Sequence, residues 1–158
     1  MSFIVRKGKI PDMPQVLNLI KELAAFEKEP DAVIVTEKDL LRDGFKKNPL
    51  FKTYVAEQDG EIVGMALIYP RYSTWKGMTI HLEDLIVKKD KRGLGIGKAL
   101  YSRVMQYAYK KKVKRVEWVV LDWNITAVDF YKSTGATILT DWHLAQMDEK
   151  ALQAYINK

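Results

Sequence analysis

The spacing of apolar positions changes several times along the chain, and each change marks an element. Phe3 to Arg6 reads as a first strand. After Pro11-Asp12-Met13-Pro14 the period becomes helical: Val16, Leu17, Ile20, Leu23 and Ala24 share one face, predicting a helix that fades between Phe26 and Pro30. Thr36 has the chemistry of an N-cap for a short helix through Leu40 and Leu41, with Gly44 expected as its C-cap. Thr53–Gln58 and Ile62–Tyr69 flank Asp59-Gly60, the strongest short hairpin signal present, and Pro70 is expected to end the second arm.

A loop with Trp75 and Gly77 precedes a long strand over Met78–Val87. A helix to about Lys112 follows, carrying Leu100, Val104 and Ala108 on one side. Val116–Leu121 reads as a strand and Asn124–Thr134 as a helix stopped by Gly135. Ile138–Met147 is expected to hold two short strands or one bent one, and Glu149–Ile156 a terminal helix. This order predicts an α/β domain over residues 1–158, with a mixed, mostly antiparallel sheet and helices on both faces.

Between Glu83 and Leu100 the pattern changes character. The apolar run Leu85-Ile86-Val87 leads through a basic turn to Gly93, Gly95 and Gly97, which open a helix. Alternating glycines at a helix start let a ligand approach backbone N–H groups that lack intrahelical partners, a site suited to phosphate. A P-loop ending at Gly97-Lys98 requires glycine at 92 and Ser or Thr at 99, where Arg92 and Ala99 stand. The dinucleotide fingerprint fails too, because Lys98 and Leu100 occupy its last glycine position in the two possible frames. The spacing that matches is Arg-x-x-Gly-x-Gly, filled by Arg92, Gly95 and Gly97.

Composition narrows the function classes. With 158 residues, 47% hydrophobic and 29% charged, the chain can bury an ordinary globular core. It has no cysteine and two histidines, His81 and His143, so neither a disulfide framework nor a thiol nucleophile is possible and no metal is expected. No signal-peptide pattern or membrane-length apolar run occurs, which predicts a cytoplasmic protein without a membrane partner. The net charge of +6 favours anionic ligands. A nucleic-acid-binding module is the rival reading, suggested by the basic cluster Lys110-Lys111-Lys112-x-Lys114-Arg115. Cations also suit the end of a helix, and no aromatic-rich RNA motif accompanies the cluster. No nucleic-acid partner is therefore expected.

The Arg92–Gly97 loop resembles the pyrophosphate-binding signature of the GNAT acetyltransferase superfamily. The resemblance extends through Leu19-Ile20-Lys21-Glu22-Leu23-Ala24, Val35-Thr36-Glu37-Lys38-Asp39-Leu40-Leu41, Asp43-Gly44-Phe45, Leu82-Glu83-Asp84, Trp123-Asn124, Phe130-Tyr131-Lys132 and Gly135-Ala136. In these residues the chain is similar to the diamine (spermidine/spermine) and thialysine N-acetyltransferases. That likeness implies a GNAT fold whose splayed central strand pair binds coenzyme A, a single N-acetyltransferase domain, and a homodimer. It also implies acetyl-CoA as co-substrate and a small cationic amine as acceptor, with a protein lysine or N-terminus as the alternative.

By the same resemblance, Leu85, Ile86 and Val87 pair with the pantetheine arm. Arg92, Gly93, Leu94, Gly95, Ile96, Gly97 and Lys98 take the pyrophosphate, and Asn124, Ala127, Phe130 and Tyr131 contact the cofactor nearer its thioester. Direct attack by an amine needs a proton removed first, because at a pKa near ~10.4 only ~0.1% is neutral at pH 7.4. Glu83 matches the family's position for that base, and Tyr131 its general acid for the leaving thiolate. Phe26, Glu27, Trp75, Glu83 and Asp84 match the acceptor site, with Glu117 to Val119 a weaker backbone match. Phe26, Lys28 and Ser73 depart from the polyamine enzymes, which carry tyrosine, an acidic run and aspartate there. These departures point to shorter amines such as thialysine, lysine or a diamine.

Overall fold

A computed structural model describes residues 2–157. The chain divides into two compact units, one up to Val119 and one from Val120.

The first unit is built on one five-stranded sheet. β1 (Ile4–Lys7), β2 (Lys52–Gln58), β3 (Glu61–Ser73) and β4 (Gly77–Val87) pair antiparallel in chain order, and β5 (Val116–Glu117) adds in parallel beside β4. Helix α1 (Met13–Phe26) follows a 3₁₀ turn at Ile10–Asp12, and α2 (Glu37–Phe45) precedes β2. Helix α3 (Ile96–Lys110) connects β4 to β5.

The two faces of the sheet are separately covered. Met13, Val16 and Leu19 of α1 and Leu40 of α2 pack in one core with Val55, Ile62, Met65, Leu67 and Ile86. Each such side chain contributes roughly 1.5–3 kcal/mol on full burial. On the opposite face α3 lies close against Gly64, where an added Cβ would stand 3.1 Å from Leu100 Cδ1 and 3.3 Å from Ile96 Cγ2. The helices thus lie on both faces, as the element order predicts.

Several boundaries differ from the sequence expectation for identifiable reasons. Asp59 and Gly60 both take positive φ (51° and 81°), as a tight hairpin turn requires, but the second arm continues past Pro70 to Ser73. The N–H of Ile80 donates to the Arg115 carbonyl on the β5 side, at 3.1 Å. At the Pro70–Ile80 pair, therefore, the backbone groups of β3 and β4 point away from each other. The missing N–H of Pro70 falls on the side where β2 has already ended, opposite Ile68, and proline costs the ladder nothing.

Thr36 does cap α2: its Oγ1 accepts from the Asp39 N–H while Asp39 accepts from the Thr36 N–H, a reciprocal box. Gly44 is not a C-cap. It lies inside the helix, where a Cβ would stand 2.7 Å from the Phe51 ring. The expected strand at Val116–Leu121 is only two residues long, because its ladder with β4 stops after Ile80–Val116 and His81–Glu117. Among the described residues, β4 from Leu82 to Val87 accordingly has no ladder partner on that side. This divergence is the splayed strand pair.

The second unit contains α4 (Ile125–Ser133) and α5 (Glu149–Ile156). Asn124 caps α4 by accepting from the Ala127 N–H, and Gly135 takes φ 94° just beyond its end. No strand forms over 138–147 among the described residues. Leu139, Trp142, Leu144 and Met147 are exposed there, and among the described residues no neighbouring strand in the unit offers a ladder. The chain contains no helix long and apolar enough to cross a membrane among its described residues.

Candidate active site

A single irregularity in the sheet shapes the acidic end of the site. Leu67 pairs with Asp84 but Ile68 pairs with Leu82, so Glu83 is an extra residue in β4, a β-bulge. In a regular strand, neighbours point to opposite faces. The bulge instead lets both Glu83 and Asp84 line one cavity of about 460 Å³, together with Glu27 from the end of α1.

The cavity lies between α1, the segment 32–35, α2 and the sheet, with Leu23, Ala24, Val33, Val35, Phe51 and Leu67 as apolar walls. Among the described residues no lysine or arginine pairs with Glu27, Glu83 or Asp84. Burial, with the charges of Glu83 and Glu27 added, pushes the Asp84 carboxyl up to about 7. Burial and the Glu83 charge also raise Glu27. Three carboxyl groups gathered on one cavity, with no lysine or arginine beside them among the described residues, form a site for a cation.

The other two acids on the cavity, Asp39 and Asp43, are already satisfied. Arg42 reaches Asp39 at 3.0 Å and Asp43 at 2.8 Å, and Lys46 lies 4.0 Å from Asp43. Hydrogen bonds from Thr36, with Arg42 adding to them, hold Asp39 below the usual carboxylate range, and Arg42 does the same for Asp43.

The glycine loop has a geometry of its own. Gly93 and Gly95 take φ of 78° and 80°, conformations strained for other residues, so the turn itself demands glycine there. Gly97 is different: it is helical, and a Cβ there would meet only Val87 Cγ2, at 3.6 Å. The first helical bond runs from the Ala99 N–H to the Gly95 carbonyl, so the N–H groups of Ile96, Gly97 and Lys98 precede it at the positive end of α3. The splayed edge of β4 and this helix start together present unpaired ladder groups and helix-end donors, which fit an acyl-CoA's amide-bearing arm and its phosphates.

The loop is fixed from two sides. The Lys89 N–H donates to Glu22 Oε1 at 3.0 Å, and Arg92 Nε donates to the Val87 carbonyl at 3.1 Å. The Arg92 guanidinium also lies 5.0 Å from the Phe26 ring centroid. Phe26 therefore meets the loop at Arg92, while its neighbour Glu27 enters the cavity.

Trp75 is placed elsewhere. It occupies the tip of the β3–β4 hairpin, 77% exposed, and does not line the acidic cavity. Asn124, Ala127, Phe130 and Tyr131 share α4 and its cap, with Tyr131 buried and its ring 5.5 Å from that of Phe130. Glu117 holds Arg71 and Arg115 at 2.9 and 3.1 Å.

Two residues of the site escaped the sequence reading. Tyr69 donates to Glu83 Oε2 at 3.0 Å, and His81 Nε2 lies 3.4 Å from the same oxygen. Tyr69 faces His81 across the β3–β4 ladder. No spacing rule foretells this, because it depends on the register and on the bulge.

Residues 14–136 match the model of the acetyltransferase (GNAT) family. A thialysine N-epsilon-acetyltransferase of Sus scrofa is 39% identical, over 99% of each chain. The spermidine/spermine N(1)-acetyltransferase-like protein 1 of Homo sapiens is 38% identical over 95% of this chain and 23% of its own length. Among solved structures, an integron cassette protein from the mobile metagenome of V. cholerae superposes with a TM-score of 0.81 at 22% identity, covering 100% of this chain and 99% of that one. An aminoglycoside acetyltransferase from an uncultured soil sample gives 0.76 at 21% identity, over 92% of this chain and 97% of its own. The chain belongs to the GNAT acetyltransferase family and is an acetyltransferase.

Proposed function

We propose that the protein is an acetyl-CoA-dependent N-acetyltransferase acting on a primary amine of a small cationic acceptor, of the thialysine, lysine-like or short diamine class. The observation that carries the reading is the acidic cavity: Glu27, Glu83 and Asp84 converge, with no lysine or arginine partner among the described residues, on a pocket of about 460 Å³, a volume suited to a small molecule. Since Arg42 and Lys46 already engage Asp39 and Asp43, the cavity has one free anionic end and apolar walls. That arrangement favours an acceptor that places one ammonium at the acidic end and an aliphatic body along the walls over a long polycation. The names of the thialysine and polyamine relatives agree with an amine acceptor.

Acetyl-CoA, when bound, supplies the activated acyl group. The backbone of Leu85, Ile86 and Val87 and the N–H groups from Gly93 to Lys98 hold it, with Leu94, Ile96 and Arg92 shaping the loop; Asn124, Ala127 and Phe130 flank its reactive end. Asp84 and Glu27 bind the acceptor ammonium. Glu83 takes a proton from the ammonium and so frees the nitrogen lone pair for direct attack. Tyr131 gives its phenolic proton to the leaving sulfur, matching a donor near pKa ~10 to a thiol near ~8.5. We read the chain as one such domain, working without a metal or nucleic-acid partner, cytoplasmic, and assembling as a homodimer.

The test is acetyl-CoA turnover measured side by side with thialysine, lysine, short diamines, spermine and a lysine peptide. The short amines should match or exceed spermine in kcat/KM. A marked preference for spermine, the peptide or a neutral arylamine would overturn the reading of the pocket.

A further inference from the structure

We infer that His81 and Tyr69 are positioning residues that clamp one oxygen of Glu83, so that the other is the oxygen offered to the acceptor. The inference rests on the proposed role of Glu83. Both contacts converge on Oε2: the Tyr69 hydroxyl donates at 3.0 Å and His81 Nε2 stands at 3.4 Å. Glu83 itself needs such support. It is the extra residue of the bulge, without a ladder partner across β3 to fix its direction, and its side chain is half exposed.

The clamp is firmer than the residue it holds. His81 is buried at 9% exposure and pairs with Tyr69 in the β3–β4 ladder. Their rings lie 5.1 Å apart, tilted by 34°. Tyr69 packs in turn on the core beneath α1, and its hydroxyl, pushed up to about 12 by burial and by the Glu83 carboxylate, stays a donor at every working pH.

The tautomer of His81 follows from the same geometry. Its Nδ1 is buried with no hydrogen-bond partner among the described residues. A buried N–H donor without a partner is the costlier orphan, and a lone pair aimed from Nε2 at a carboxylate oxygen would be repelled. In its neutral form the ring therefore carries its hydrogen on Nε2, facing Glu83. The Tyr69 hydroxyl bonded to Oε2, with His81 Nε2 beside it, leaves Oε1 as the oxygen turned to the acceptor, aligned by two packed side chains.

The experiment compares His81→Phe, His81→Gln, Tyr69→Phe, Glu83→Gln and the double variant His81→Phe/Glu83→Gln in the full chain, with folding checked by thermal unfolding. Loss of either donor should lower kcat for the amine roughly five- to tenfold, the scale of one ordinary hydrogen bond. The acetyl-CoA KM should stay within twofold. His81→Gln retains an N–H near the Nε2 position and should recover most of kcat. In the Glu83→Gln background, His81→Phe should cost nothing further, because the two act as one unit. Unchanged kcat in folded His81→Phe and Tyr69→Phe would overturn the clamp while leaving Glu83 in place if Glu83→Gln is inactive. Wild-type kcat in Glu83→Gln would instead remove the base assignment. Should His81→Phe fail to fold, Tyr69→Phe and His81→Gln decide: a Tyr69→Phe enzyme with wild-type kcat sinks the proposal.

Discussion

Replacing Asp84 with asparagine should make the protein more stable as the pH rises, relative to wild type. Asp84 sits under Leu67 beside Glu83 and Glu27, and its carboxyl is raised from 3.8 to about 7, by burial first and then by those two charges. The folded value lies above the unfolded one, so between about pH 4 and 7 the native state binds more protons than the unfolded state. Stability is therefore lost as pH rises across that window and is level above it. A shift of about three units corresponds to roughly 4 kcal/mol, and asparagine keeps the shape without the charge. The difference in unfolding free energy, Asp84→Asn minus wild type, should grow by that order from pH 4 to pH 8. For a chain of this length the difference amounts to roughly 8–16 °C in Tm. Carboxyls held low, such as Asp12 beside Arg6, are common to both proteins and cancel in the difference. Urea or thermal unfolding at half-unit pH steps measures it directly. Parallel pH curves for the two proteins would refute the account of the cavity as three mutually repelling acids.

Other substitutions separate the parts of the proposed site. Gly97→Ala has room beside Val87 and gains helix propensity of roughly 0.5–1 kcal/mol; it should unfold no earlier than wild type yet raise the KM for acetyl-CoA several-fold, and normal cofactor binding would unseat the loop. Tyr131→Phe removes only a hydroxyl and should lower kcat by ~10²-fold with cofactor affinity retained; wild-type kcat across the pH range would return Tyr131 to a packing role. Glu27→Gln should raise the amine KM several-fold while leaving the acetyl-CoA KM nearly unchanged, as steady-state titration of each substrate would show. An unchanged amine KM would take Glu27 out of the acceptor site.

What the sequence by itself determined is whatever depends on near neighbours. The helical period of Val16, Ile20 and Leu23, the Thr36–Asp39 box, the Asp59-Gly60 turn and the Asn124 cap are short-range physics, and each formed where its residues stand. The Arg92–Gly97 spacing likewise announced a loop before a helix, since positive φ at Gly93 and Gly95 is a local demand. Long-range pairing decided the remainder. Pro70 could stay inside β3 only because β2 ends opposite Ile68, and the strand expected after Val116 ended early because its ladder with β4 parts after Glu117. Gly44 served the Phe51 ring rather than a helix end. Most consequential is the bulge at Glu83. One residue of register turns two adjacent carboxylates into the same cavity, brings Tyr69 and His81 to Glu83, and raises Asp84, because side-chain direction in a strand is set by pairing with its neighbour and not by the strand's own sequence.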